Sequence, residues 1–320
     1  MKKIFAILLA LAMVLSLTAC GSTEKTDAAP TTAPAADLAA EVPTHDRAGT
    51  PITVPAQVEK IISLAPATTQ LIETLGFKDK LIAVDTQSPL FVDGVSQLPQ
   101  FDMMAADIEQ MAMLQPDLVF TSGMSYLDDN PFQALIDMGI CVVEIPSSNS
   151  IASVKEDIVF TAACLGAASE GQALAEDMQK KIDEIAAIGA TITDKKTILF
   201  EIACLPHIYS FGSGTFLHEM IEIIGAENVL GEHISWMSVT EESAVAANPD
   251  VILTNVNYIE DSVGEIMARS GWENVTAIRN GAVYYIDNGH SSLPNHHIID
   301  ALIEMAVSVY PEEYAAWKES

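Results

Sequence analysis

One sequence unit occurs twice, and it commits the chain to two halves of similar build. The first copy is Asp107-Ile108-Glu109-Gln110-Met111-Ala112-Met113-Leu114-Gln115-Pro116-Asp117-Leu118-Val119-Phe120-Thr121. The second is Thr240-Glu241-Glu242-Ser243-Ala244-Val245-Ala246-Ala247-Asn248-Pro249-Asp250-Val251-Ile252-Leu253-Thr254. In each, a capping residue (Asp107 or Thr240) offers a side-chain oxygen to the free amides of a first helical turn. A glutamate (Glu109 or Glu242) takes the second helical position, and Pro-Asp begins seven residues after it. Proline cannot continue the helix and turns the residue before it towards extended geometry. The apolar run that follows predicts a buried strand, so each unit reads helix, turn, strand.

A chain of 320 residues with 49% hydrophobic content has room for two lobes. Its 15 basic and 44 acidic residues leave a net charge of -29, which repels nucleic-acid phosphates. The arginines are Arg47, Arg269 and Arg279. The N-terminus reads as a targeting segment, 1–19: Lys2 and Lys3 precede an apolar stretch, Ile4 to Leu17, that is short for a spanning helix. Leu17-Thr18-Ala19-Cys20 resembles a bacterial lipobox, which implies cleavage before Cys20 and lipidation of its thiol. Residues 20–45, rich in Ala, Pro and Thr, cannot bury enough surface to fold and read as a flexible tether. The expected location is extracytoplasmic, lipid-anchored to the cell membrane. Cys141, Cys164 and Cys204 show no CxxC spacing and read as buried, inert thiols, with a single disulfide left open.

Folded structure is expected from a small hairpin at Asp46–Pro55. A strand at Lys60–Leu64 leads to a helix capped by Thr68 or Thr69. A second strand, Leu81–Val84, precedes a long loop and the first repeat. A helix from Asp129 to Met138 and a strand from Ile140 to Ile145 follow. Strands alternating with helices predict a mainly parallel sheet with helices on its faces. From Ser150 to Ile188 there is no proline, and Val154, Ile158, Leu165, Leu174, Met178, Ile182 and Ile185 recur at helical spacing. Unbroken, this helix would be about 55 Å long, enough to bridge two lobes, with Gly166 and Gly171 as candidate interruptions. The second half repeats the pattern: a strand at Thr197–Ile202, a helix at Thr215–Ile224, the second repeat, a helix at Glu260–Arg269, a strand at Ala282–Ile286 and a helix at Asn295–Val309.

Several segments together resemble the substrate-binding proteins of ABC importers for iron-siderophores, haem and cobalamin, the class with a long interlobe helix. They are Ile61-Ile62-Ser63-Leu64-Ala65-Pro66-Ala67-Thr68-Thr69, the two Pro-Asp units, Gly212-Ser213-Gly214-Thr215-Phe216-Leu217 and Ile223-Ile224-Gly225-Ala226-Glu227-Asn228. The resemblance spans about residues 46 to 317. It implies an α/β fold of two Rossmann-like lobes with mainly parallel sheets, 46–149 and 191–320, joined by one long α-helix within 150–190. The ligand would lie between the lobes, and the expected partners are an ABC permease and its ATPase, the membrane through the lipid anchor, and a small-molecule metal chelate. Nucleic acid is not expected as a partner, and the chain is expected to be a monomer. Glu109 and Glu242 match positions at which one glutamate per lobe docks on permease arginines. The Gly212-Ser213-Gly214 turn lacks the lysine of a phosphate-binding loop and reads as a tight connection.

Ligand contacts are expected from loops at strand ends facing the cleft. The candidates are Phe101, Met124, Ser125, Tyr126, Phe211, Trp236, His290 and His297, whose aromatic faces suit a large, greasy chelate. Where the family often carries Gly-Pro-Arg, this chain has Asn295-His296-His297. Neighbours on a helix point about 100° apart, so His296 and His297 are not expected to share one ion, and no metal site is assigned. The scarcity of arginine favours a neutral or cationic ligand, such as a ferric hydroxamate or a corrinoid, over an anionic tricatecholate. The ligand is the cargo; no resident cofactor is expected. Two other readings remain open at this point: a direct transition-metal-ion carrier using the histidine cluster, and a chelatase-like enzyme, for which no nucleophile–base pair is visible.

Overall fold

The computed structural model describes residues 42–126 and 130–318. The expected leader 1–19, the lipidation site Cys20 and the tether as far as residue 41 lie outside the described residues, as does Asp129.

In the first lobe, β1 (Ile61–Ser63), α1 (Pro66–Thr74), β2 (Leu81–Asp85), β3 (Gln100–Phe101), α2 (Ile108–Met113), β4 (Leu118–Ser122), α3 (Gln133–Asp137) and β5 (Cys141–Ile145) alternate. The strands order as β3-β2-β1-β4-β5, all parallel. Alternate residues feed two cores. Ile61, Leu118 and Phe120 enter one, and Ile62, Val119 and Val142 enter the other. A sheet covered on both faces reads as unbroken apolar runs, which is why Ile-Ile and Leu-Val-Phe stand where they do.

The second lobe contains β6 (Thr197–Glu201), preceded by the two linking helices α4 (Ile151–Cys164) and α5 (Ala168–Gly189). It continues with β7 (Ile208–Phe211), α6 (Phe216–Ile223), β8 (Glu227–Asn228), β9 (Trp236–Val239), α7 (Glu241–Ala247) and β10 (Val251–Thr254). Then come α8 (Ser262–Met267), α9 (Thr276–Asn280), β11 (Val283–Tyr285), α10 (Asn288–Ser292) and α11 (Ile298–Val309). A parallel sheet, β11-β10-β6-β8, carries a separate antiparallel ribbon of β7 and β9.

Both repeats fold alike. Asp107 Oδ1 accepts from the Gln110 amide at 3.0 Å, and Thr240 Oγ1 accepts from the Ser243 amide at 3.2 Å. The aspartate of each Pro-Asp pins the start of the neighbouring central strand. Asp117 Oδ2 accepts from the amides of Glu59 and Lys60, each at 2.9 Å. Asp250 Oδ2 accepts from the amide and hydroxyl of Thr197, each at 2.9 Å.

Three local expectations are corrected. The residues before the prolines are not extended: Gln115 has φ 52° and Asn248 φ 45°. Proline excludes the right-handed region for the residue before it, and a left-handed residue ends a helix equally well. Neither Thr68 nor Thr69 caps α1. Ala65 is the N-cap and Pro66 opens the helix, where its missing N–H costs nothing. The stretch from 150 to 188 is two helices, because Gly166 adopts φ +76° and the chain turns back there. Gly171 does not interrupt α5. It lets the two helices touch, since a Cβ there would lie 2.3 Å from the Ala162 Cβ.

The long helix of the fold is therefore α5, with 22 residues and a length of about 33 Å. Cys164 and Leu165, just before it, belong to the first lobe's core. Met178, Ile182 and Ile185 within it pack into the second lobe's. At the start of α4, the Ile151 amide donates to Glu219 of α6 at 2.8 Å, so the linker is fastened to the second lobe at both ends.

Candidate ligand-binding cleft

In each sheet the chain order reverses beside the first central strand: between β1 and β4 in one lobe and between β6 and β10 in the other. Crevices form where successive connections leave on opposite faces. Residues just past those four strands, Ala65, Met124, Ile202 and Asn255, line a common cleft of about 400 Å³. Its walls are completed by Ser147 and Ser148 after β5, Asp157 and Thr161 of α4, Tyr209 and Trp236 of the ribbon, and the segment Ser291–Asn295.

The lining is apolar surface studded with hydroxyl and amide groups. Among the described residues it contains no lysine, arginine or histidine. The one carboxylate among the described lining residues, Asp157, is bonded to the Ser148 hydroxyl and to Arg47 Nε at 2.6 Å. Burial pushes that carboxyl above its usual range, against the pull of the serine and the guanidinium. Arg47 is thereby engaged. Arg269 is buried against Glu201 at 2.7 and 2.9 Å, and Arg279 is exposed in α9. None of the three arginines lines the cleft.

Among the described residues, two lining side chains keep a polar atom without a protein partner: Thr161 Oγ1 and Asn255 Oδ1, both buried. Such atoms are costly unless something pairs with them, so they are natural contacts for a ligand or for water. Asn255 is held in place by its own amide, which donates to Ser291 Oγ at 2.9 Å and Ser292 Oγ at 3.1 Å. Trp236 is 38% exposed and presents an edge-on ring 5.6 Å from Phe211 and 6.5 Å from Phe216.

Of the residues expected from sequence, Met124 and Trp236 line the cleft. Phe101 ends the edge strand and is buried with Ile62 and Leu64; Met103, two residues on, reaches the cleft instead. Ser125 is buried, and Tyr126 is tied to Thr121 Oγ1 at 3.0 Å, its hydroxyl pushed up to about 12 by burial. Phe211 lies in the core, behind Trp236 and against Phe200. His290 and His297 flank the lining segment Ser291–Asn295 without lining the cleft themselves. His297 precedes α11 as its N-cap, beside Asp300, and its ring lies 5.7 Å from that of His290. His296 bonds to Thr74 of the first lobe at 2.9 Å, and burial holds its imidazole down to about 4.

Asp157, Thr161, Asn255 and Ser291–Asn295 line the cleft without being among the expected contacts. A signal existed for the first two. Val154, Asp157 and Thr161 share a helix face with apolar residues, and polar groups on such a face call for partners. The serines carry no comparable signature. Cys141 and Cys164 are buried free thiols, while Cys204 is partly exposed, with Sγ 3.4 Å from the Tyr258 hydroxyl. Burial pushes the Cys141 thiol up to about 11.

Residues 61–289 match the model of the periplasmic binding protein family. The chain belongs to this family. An uncharacterized ABC transporter substrate-binding lipoprotein of Bacillus subtilis is 28% identical to this binding protein over 273 residues, covering 84% of this chain and 85% of the relative. A cobalamin-binding protein of Halobacterium salinarum is 24% identical over 271 residues, covering 82% and 72%. Among solved structures, the periplasmic haem-binding protein HutB of Vibrio cholerae superposes with a TM-score of 0.70 at 23% identity, covering 79% of this chain and all (100%) of that one. That likeness shows the shared two-lobe fold. In this family member Glu109 and Glu242 both stand exposed at their helix starts, one on each lobe.

Proposed function

We propose that this protein is the lipid-anchored binding component of an ABC importer, which captures an uncharged or cationic metal chelate of the corrinoid or ferric hydroxamate kind. The observation that carries this reading is the charge of the cleft: among the described residues it is hydroxyls, amides and apolar surface, with a single carboxylate engaged by Arg47. An anionic tricatecholate calls for cationic partners that these walls do not supply. The cobalamin-binding relative supports the corrinoid alternative.

In this account residues 46–149 and 191–320 are the two lobes, and residues 150–190 join them. Cys20 carries the lipid, so the monomeric domain works outside the cytoplasm at the membrane surface. Glu109 and Glu242 dock on basic sockets of the permease, and its ATPase drives release. Exposed rim charges of this kind set orientation and encounter rate. The protein binds and delivers; it does not turn over its ligand. Native mass spectrometry against hydroxamate, catecholate, haem and corrinoid ligands tests the assignment. A one-to-one complex with a corrinoid or hydroxamate is expected, and selective retention of a catecholate would refute it.

A further inference from the structure

Beside the cleft, but outside its lining, three potential metal donors converge. One ring nitrogen each from His290 and His297 and a carboxylate oxygen of Asp300 lie within 4.8 Å of one another. His290 comes from α10, His297 caps α11 and Asp300 stands in its first turn. The two imidazoles are stacked, 5.7 Å apart and inclined by 20°. All three residues are partly exposed, so an ion can reach them without unfolding the lobe.

At Nδ1 each ring faces a carboxylate, which for His290 lies outside the three donors and for His297 is the donor Asp300 itself. Glu304 Oε1 lies 2.8 Å from that atom of His290, and Asp300 Oδ2 lies 2.9 Å from that of His297. Glu304 is fixed in turn, because its Oε2 accepts from the Asp287 amide at 2.7 Å. A carboxylate behind a histidine, as Glu304 stands behind His290, orients the ring and raises its basicity in metal sites. Tetrahedral zinc with bonds of about 2.0–2.2 Å sets its ligands roughly 3.4 Å apart. Donors within 4.8 Å of one another have to close by at most about 1.4 Å to reach that spacing. Two imidazoles and one carboxylate are a common zinc set that leaves a fourth position to water.

We propose that His290, His297 and Asp300 form a site for a divalent first-row transition metal, with Glu304 orienting His290 from the outer shell. Its place in the fold gives it a role. Ser291–Asn295, between the two histidines, is the cleft wall whose Asn295 donates to Ala67 O at 3.2 Å and to Gln70 Oε1 at 2.7 Å in the first lobe. An ion shared by His290 and His297 closes the base of that loop and holds the wall against α1. It is a resident, structural ion rather than cargo, and the proposal is independent of which chelate the cleft takes.

Zinc chloride titrated calorimetrically into the purified, metal-stripped protein tests this. One equivalent should bind. His290→Gln and His297→Gln should each abolish binding, Glu304→Gln should weaken it by about 10–100-fold, and Cys204→Ser should leave it intact. Circular dichroism checks that each variant is folded, and if one is not, the other histidine variant decides. Zinc should also slow amide exchange across residues 291–296 in the parent protein. No uptake, uptake unchanged in the folded histidine variants, or uptake lost in Cys204→Ser would overturn the proposal.

Discussion

Asn295 donates its side-chain amide to Gln70 Oε1 at 2.7 Å, joining the loop before α11 of the second lobe to α1 of the first. The same amide donates to Ala67 O, and the side-chain Oδ1 of Asn295 accepts from the His297 backbone amide at 2.9 Å. With 2% exposure, Asn295 is a buried tie between lobes rather than a surface contact. A double-mutant cycle of Asn295→Ala and Gln70→Ala, read by urea unfolding, should give a coupling of about 0.5–1.5 kcal/mol.

Arg269 neutralises Glu201, which is fully buried at 0% exposure. Burial already raises the Glu201 carboxyl, and Arg269 works against that rise. Arg269→Leu leaves a buried charge without its partner and should cost about 3–5 kcal/mol at neutral pH. With the arginine gone, the folded-state carboxyl pKa moves further above its unfolded value, so the folded state holds a proton that the unfolded state has released. The deficit should be full above the raised pKa and shrink as pH falls through it. Urea midpoints measured from neutral to mildly acidic pH check this against the parent protein.

Thr161 keeps a buried hydroxyl without a protein partner on the cleft wall. Thr161→Val preserves shape and removes that hydroxyl. Unfolding stability without ligand should stay level or rise, whereas ligand affinity should fall about tenfold, the loss of roughly one hydrogen bond. Equal losses in both would show that Thr161 serves the core alone.

Charge reversal at Glu109 and Glu242 separates docking from binding. The double Lys variant should lose uptake in cells while ligand affinity, measured on purified protein, stays within about twofold, since rim charges act mainly on the partner. A matching loss of affinity would place these glutamates at the ligand.

The scaffold was legible in the sequence wherever one residue decides local geometry. Asp107 and Thr240 cap as expected, and the helices end ahead of Pro116 and Pro249, through left-handed Gln115 and Asn248. Gly166 was a visible candidate for a break, but only the packing of Gly171 against Ala162 shows that one glycine turns the chain and the other does not. The cleft was harder to read because aromatic content does not report depth. Phe211 and Trp236 are cross-strand partners, yet Phe211 is covered and Trp236 is open. Histidine pairing was hidden for a related reason: Asp300 is a local neighbour of His297 on α11, but His297 meets His290 only because α10 packs against α11, a tertiary fact that adjacency in sequence does not contain.

The charge of the ligand is the centre of the account, and Trp236 provides the probe. It lines the cleft at 38% exposure, while Trp272 is fully buried in the second lobe's core. Tryptophan emission should be quenched saturably by cobalamin or by a neutral ferric hydroxamate, most of that signal should vanish in Trp236→Phe, and a ferric tricatecholate should give no saturable change. Tight quenching by the tricatecholate, with none by the neutral chelates, would contradict it.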